Sequence, residues 1–236
     1  MKTDDLLSES AGQQLAGADL AIVELCGGGE CQMIRAVQLY TFLEYCNSSP
    51  LEKEILECGA GVWNSSVEPL LVRFYEHGYE IHGVEISDER ATAAREYCEA
   101  HQVDADIRTG DMRRLAFEDA SMSFVFSYNT IFHVTKAEVA IAMGEIERVL
   151  KPGGLCFVNF LSVDSDTYGK GEEIGKGEFV EHGGGAEALH VYYEDGEADA
   201  YFGGFEVLHK EKRVSEWLAG AERRVRAYID YIARKA

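Results

Sequence analysis

From residue 51 onward the chain alternates short apolar runs with amphipathic stretches. Glu54–Cys58 reads as a first strand running into the turn Gly59-Ala60-Gly61. A helix is expected from near Ser66, with Pro69 in its first turn, where the missing N–H costs little. It carries Leu70, Leu71, Val72 and Phe74 and stops at His77-Gly78. The second strand, Glu80–Ile86, reaches Glu85 at its carboxyl end, and Ser87 or Asp88 caps a helix to about His101. A third strand covers Ala105–Thr109 and ends at Gly110-Asp111-Met112. The fourth, Met122–Ser127, carries no charge, as expected of a strand buried on both faces. Val139, Met143, Ile146 and Leu150 then form one helical stripe. Lys151-Pro152-Gly153-Gly154 ends it, and Leu155–Leu161 is the fifth strand.

Strands separated by helices imply a doubly wound α/β fold, a mostly parallel seven-stranded sheet with helices on both faces. Phe205-Glu206-Val207-Leu208 opens a sixth strand and Tyr228–Ala233 a seventh, with Ala219-Gly220 as the turn of a C-terminal antiparallel hairpin. The competing reading is a helix through Arg223–Ile232, because Ala and Arg favour helices. Residues 169–185, rich in Gly and Glu, show no period and read as a long loop. Residues 1–50 read as a separate N-terminal helical cap or lid, with plain core helices as the alternative. Leu20–Cys26 is apolar apart from Glu24 and breaks at Gly27-Gly28-Gly29. Met33, Ile34, Val37, Tyr40 and Leu43 recur at helical spacing, and Pro50 stops that helix. Residues 51–236 form the main domain, with 162–204 as a substrate-side loop or lid.

Composition narrows the function. Net charge is −20 with no dense basic patch, which argues against nucleic acid and anionic membranes as partners. No window approaches the length of a membrane-spanning helix, and the acidic start lacks the layout of a signal peptide. Cys26, Cys31, Cys46, Cys58, Cys98 and Cys156 include no Cys-x-x-Cys, so they read as reduced thiols of a cytoplasmic protein with no metal site.

In an open parallel sheet, ligands bind outside the carboxyl ends of the strands. Gly59 and Gly61 follow strand one; Glu85 ends strand two, 24 residues after Gly61. Asp111 follows strand three, and Tyr128-Asn129 follow strand four. A carboxylate at the end of strand two suits a ribose diol, and Asp111 could accept from an adenine amine. Together they describe a pocket for an adenosyl ligand.

On these residues the chain resembles the class I S-adenosylmethionine-dependent methyltransferases. The resemblance rests on Glu57-Cys58-Gly59-Ala60-Gly61, Gly83–Ser87, Thr109–Met112, Ser127–His133 and Glu147–Gly154, in that order. It covers roughly residues 52–161, about half the chain. It implies S-adenosylmethionine as cofactor and S-adenosylhomocysteine as product; the acidic surface and varied cap suggest a small-molecule acceptor, with a protein side chain as the alternative. Glu57, Cys58, Gly59, Ala60 and Gly61 would lie at the methionine part, and Glu85 at the ribose hydroxyls. Asp111 would face the adenine amine, with Ile86 and Met112 against the ring. Tyr128 and Asn129 would line the floor. Where the acceptor must lose a proton, His133 and His190 are the candidate bases. One departure is Trp63, which stands where many members carry a third glycine. Either this loop bulges outward or the indole covers the cofactor. Two other functions share part of the pattern. An NAD-dependent oxidoreductase shares the glycines but wants a third at position 64, where Asn64 stands. A non-catalytic cofactor-binding subunit shares the whole pattern.

Overall fold

The computed structural model describes residues 37–183, 186–220 and 222–236. These fall into two units that divide between Tyr45 and Cys46. Helix α1 spans Val37–Asn47, so the helix expected around Val37, Tyr40 and Leu43 is present and stops before Pro50. The other expected elements of the cap, Leu20–Cys26 among them, lie outside the described residues.

The second unit is built on β1 (Glu54–Cys58), β2 (Glu80–Glu85), β3 (Ala105–Thr109), β4 (Met122–Ser127) and β5 (Leu150–Ser162). These run parallel in the order β3-β2-β1-β4-β5. All six residues of β4 are buried, as a charge-free strand predicts. Between them lie α2 (Val72–Glu76), α3 (Asp88–Ala100) and α4 (Lys136–Val149). Strand order reverses between β1 and β4. Right-handed crossovers then place α2 and α3 on one face and α4 on the other. β9 (Phe205–Ala219) and β10 (Glu222–Lys235) form the antiparallel hairpin, and β10 pairs with β5 from Tyr228↔Leu161 to Arg234↔Leu155. The alternative helix through Arg223–Ile232 is excluded. Seven strands therefore stand in the order β3-β2-β1-β4-β5-β10-β9.

Three expectations are corrected. The helix expected near Ser66 begins only at Val72, because Pro69, Leu70 and Leu71 form a tight turn with Val72 N–H donating to Pro69 C=O at 3.2 Å. Lys151–Gly154 belongs to β5 as a bulge: the register runs Met122↔Leu150, then Phe124↔Leu155. A Cβ on Gly154 would lie 2.8 Å from Lys151 O and 2.9 Å from Ser123 O, so glycine is required there. Residues 169–185 do not form one long loop. They contain β6 (Glu172–Gly175) and β7 (Glu178–Gly183), which continue antiparallel into β8 (Ala186–Tyr193). Period-2 burial exists there, in Phe179 against its polar neighbours, but glycines and charges mask it.

β8 joins β5 in parallel through Leu161↔Tyr192 and Ser162↔Tyr193. Leu161 already pairs with β10 on one side, so β8 takes the side that β4 vacates after Ser127. The small sheet β6-β7-β8 is thereby set at the carboxyl pole of the main sheet. Phe160 packs edge-on against Tyr193 at 5.0 Å, and Tyr231 stacks on Phe202 at 4.4 Å, filling the core beneath.

Helix α4 opens with a capping box. Thr135 Oγ1 accepts from Glu138 N–H, while Glu138 Oε2 accepts from Thr135 N–H at 2.9 Å. Thr135→Ala should lower unfolding stability by about 1 kcal/mol. Urea unfolding followed by circular dichroism reads this directly, and an unchanged midpoint would show that the cap contributes nothing.

Candidate functional site

The carboxyl end of β2 gathers the neighbouring strand ends. Val84 C=O accepts from both Gly59 N–H (2.7 Å) and Ala60 N–H (3.2 Å), which pins the loop after β1. Glu85 C=O accepts from Gly110 N–H at 2.8 Å, which pins the loop after β3. The buried Glu85 carboxylate accepts from Gly61 N–H at 3.2 Å and Ser87 N–H at 2.9 Å. Ser87 caps α3 through Arg90 N–H. Gly59 has φ +95°, a conformation that favours glycine, and a Cβ there would collide with the Thr130 side chain. A Cβ on Gly61 would lie 2.6 Å from Glu85 Cγ. The turn thus presents bare backbone beside a carboxylate.

The other sequence-predicted residues fall around this turn with different surroundings. Cys58 and Ala60 are buried apolar groups, and burial pushes the Cys58 thiol up to about 12, so it is no nucleophile. Glu57 is buried, and its Oε2 accepts from Leu71 N–H at 3.2 Å. Desolvation, helped by the nearby Glu85, raises it to about 8, so it carries a proton near neutral pH. Asp111 is gripped by Arg113 through both carboxylate oxygens, which holds its carboxyl below the usual range. Arg113 also meets Glu138 of the capping box. Met112 packs on the core, while Ile86 is 65% exposed. Trp63 is 60% exposed, with the Arg90 guanidinium 3.8 Å above its ring.

At the end of β4, Tyr128 is buried and stacks on Phe157 at 6.0 Å. Asn129 adopts φ +53°, uncommon for a non-glycine residue. Asn159 of β5 holds it there. Asn159 Oδ1 accepts from Asn129 N–H at 2.7 Å, and its Nδ2 donates to Asn129 Oδ1 at 2.6 Å.

The two candidate bases meet although 57 residues separate them. The His133 and His190 rings lie 5.0 Å apart, edge to face. His133 Nδ1 is 2.9 Å from Leu189 C=O. A carbonyl only accepts, so Nδ1 carries the proton and Nε2 presents its lone pair. Crowding by protein pushes His133 down to about 4, with His190, Arg90 and Arg226 adding their charges. Solvent still reaches the ring. That access argues for a smaller drop than full burial would give, and His133 is neutral at pH 7 in either case. His190 is lowered too, by burial first and by Arg226 second. Around it, His190 Nδ1 and Glu181 Oε1 are buried without a hydrogen-bond partner, and Tyr192 Oη lies near Thr167. His190 Nδ1 and Glu181 Oε1 are 3.2 Å apart but misaligned.

Residues 56–158 match the family model described as a methyltransferase domain. That stretch, just under half of the chain, is similar to methyltransferase domains. The match carries S-adenosylmethionine as the cofactor and sets aside the oxidoreductase reading. Solved structures share the methyltransferase fold. One S-adenosylmethionine-dependent methyltransferase, from Methanosarcina mazei, aligns with TM-score 0.65 at 20% identity, covering 81% of this chain and 96% of that one. The CcbJ methyltransferase from Streptomyces caelestis aligns with TM-score 0.60 at 21% identity, covering 82% and 93%. A third, from Clostridium acetobutylicum, gives TM-score 0.60 at 14% identity, covering 83% and 89%. No curated protein sequence matches the chain.

Residues that the sequence did not single out stand beside these positions. Thr130 fills the space left by Gly59, and Arg90 backs Trp63. Asn159 fixes Asn129 and was detectable as the one polar residue inside the apolar run Phe157–Leu161. Arg226 had no local signal, since the pairing of the C-terminal hairpin with β5 brings it in.

The Glu57 shift has a measurable consequence. Its folded pKa of about 8 lies above the ordinary 4.5, so between those values the folded state holds a proton that the unfolded chain lacks. That contribution to stability falls as pH rises from about 4.5 to 8 and is flat above. Thermal melts from pH 6.5 to 8.5 should show the wild type losing stability relative to Glu57→Gln. Parallel curves for the two proteins would refute a protonated Glu57.

Proposed function

We propose that this methyltransferase acts on a small polar acceptor held at the carboxyl pole between the end of β4 and β8, with His133 as the base. The observation that carries this reading is the neutral His133, with Nδ1 locked on Leu189 C=O and Nε2 free, beside buried polar atoms without partners. Buried polar groups seldom go unpaired, so a cluster of them suits a polar ligand. The net charge of −20 supports a small molecule over a nucleic acid as acceptor.

Bound S-adenosylmethionine supplies a methyl group that its positive sulfur activates for in-line displacement. The bare turn Gly59–Gly61 and the Glu85 carboxylate fit the methionine and ribose parts of the cofactor. Asp111, Met112 and Ile86 stand at the adenine end, with Asp111 offering oxygens that Arg113 now shares. Tyr128 and Asn129 form the floor. His133 Nε2 takes the acceptor's proton as its nucleophilic atom becomes electron-rich, and His190 packs against that ring and fixes its tilt. β6, β7 and β8 form the wall that excludes water from this side.

Two measurements test the reading. Glu85→Gln should weaken S-adenosylhomocysteine binding roughly tenfold by calorimetric titration, as expected for loss of a charge-assisted hydrogen bond. Equal affinity would remove Glu85 from the cofactor site. Once an acceptor is found by screening small amines, phenols and carboxylates, His133→Gln should lower kcat by roughly a hundredfold while leaving cofactor affinity unchanged. The acid limb of the wild-type pH–rate profile should fall below pH 6.5, because both histidines are held below their ordinary value. A wild-type rate in His133→Gln would reject it as the base.

A further inference from the structure

At the opposite pole of the sheet a second constellation has no part in methyl transfer. Glu54 and Glu80 are the first residues of β1 and β2 and face each other in register. His82 lies two residues beyond Glu80, on the same face of β2, and pairs in register with Asp106 of β3. His82 is only 9% exposed, and its Nε2 is buried without a hydrogen-bond partner. That atom points at two carboxylates, 3.5 Å from Glu54 Oε1 and 3.6 Å from Glu80 Oε1.

We propose that Glu54, Glu80 and His82 form a divalent-cation site of the zinc class. The separations are long for hydrogen bonds. They match the edge of a tetrahedron whose ligands stand about 2.1 Å from its centre, which is about 3.4 Å. All three donor atoms lie within 4.8 Å of one another. The donor set, one imidazole nitrogen and two carboxylate oxygens, suits Zn2+ and its transition-metal neighbours better than Mg2+ or Ca2+, which prefer oxygen alone. The second imidazole nitrogen, Nδ1, lies 3.4 Å from Asp106 Oδ2. A carboxylate behind a ligating histidine orients the ring and fixes its tautomer. The Phe117 ring covers His82 edge-on at 5.8 Å. Two cations border the cluster without filling it. Lys151 Nζ holds Glu54 Oε2 at 3.2 Å and leaves Oε1 toward His82, and Arg108 holds Asp106. Water would complete the fourth position. The ion would tie the first residues of β1 and β2 and stabilise the sheet.

Titrating tag-free, chelator-treated full-length protein with Zn2+ by calorimetry tests the site. One zinc per chain is expected, with affinity falling tenfold or more in His82→Ala and in Glu80→Gln. Glu80 is largely exposed, so its variant guards against misfolding as an explanation. S-adenosylhomocysteine binding, measured in parallel, should be unchanged in both variants, which separates this site from the methyl-transfer reading. Absence of zinc binding at millimolar concentration, or equal binding by wild type and both variants, would overturn the proposal.

Discussion

The carboxyl end of β2 is the constraint on which the loops after β1 and β3 depend. One carbonyl, Val84 O, holds the turn after β1; the next, Glu85 O, holds the loop after β3. The Glu85 side chain then spans Gly61 and Ser87, so it ties the glycine turn to the start of α3. The close approach works only because residue 83 is glycine. A Cβ there would stand 2.6 Å from Ala60 Cβ and push the turn off Val84. Geometry at this pole is therefore set by main-chain hydrogen bonds, and the side chains are placed by them. Glu57, one residue before Cys58, accepts from Leu71 N–H and so fastens the far end of the same loop.

The surroundings of His133 depend on a different device, a strand that changes partner. β5 pairs with β4 as far as Ser127↔Val158, and its free edge beyond that is taken by β8. Asn159 stands at the changeover. By holding Asn129 in its positive-φ conformation, it turns the chain off β4 toward Ile131-Phe132-His133. The same changeover admits β8, whose Leu189 carbonyl receives His133 and whose next residue is His190. One buried amide thus links the end of the parallel sheet to the meeting of the two histidines.

This division explains what the sequence shows. The parallel strands were legible because each is a compact apolar run bounded by Gly, Asp or a helix cap. β3 and β4 match their expected bounds residue for residue. The strand-end residues follow from that placement, since topology alone puts Gly59, Glu85, Asp111 and Asn129 at one pole. Long-range register was not legible. β6 to β8 are short and partly solvated, so charges and glycines hide their alternation, and their partner, the end of β5, is remote in sequence. His133 and His190 were singled out separately, but nothing local says that they touch. His82 beside Glu54 has the same origin: pairing of β1 with β2 creates the cluster, and no spacing in the chain reveals it.

Charge completes the argument about the acceptor. The protein carries −20 overall, yet the charges that bear on His133 come from Arg90 and Arg226. Arg226 donates to Thr167 Oγ1 at 2.7 Å, an uncharged partner that leaves its positive field in place. Such a field disfavours a second positive charge on His133, which keeps its Nε2 lone pair available. It also favours a nucleophile that gains negative charge on losing a proton. On the function proposed above, an acceptor beside His133 would meet the charges of Arg90 and Arg226 together with the Glu181 carboxylate next to His190.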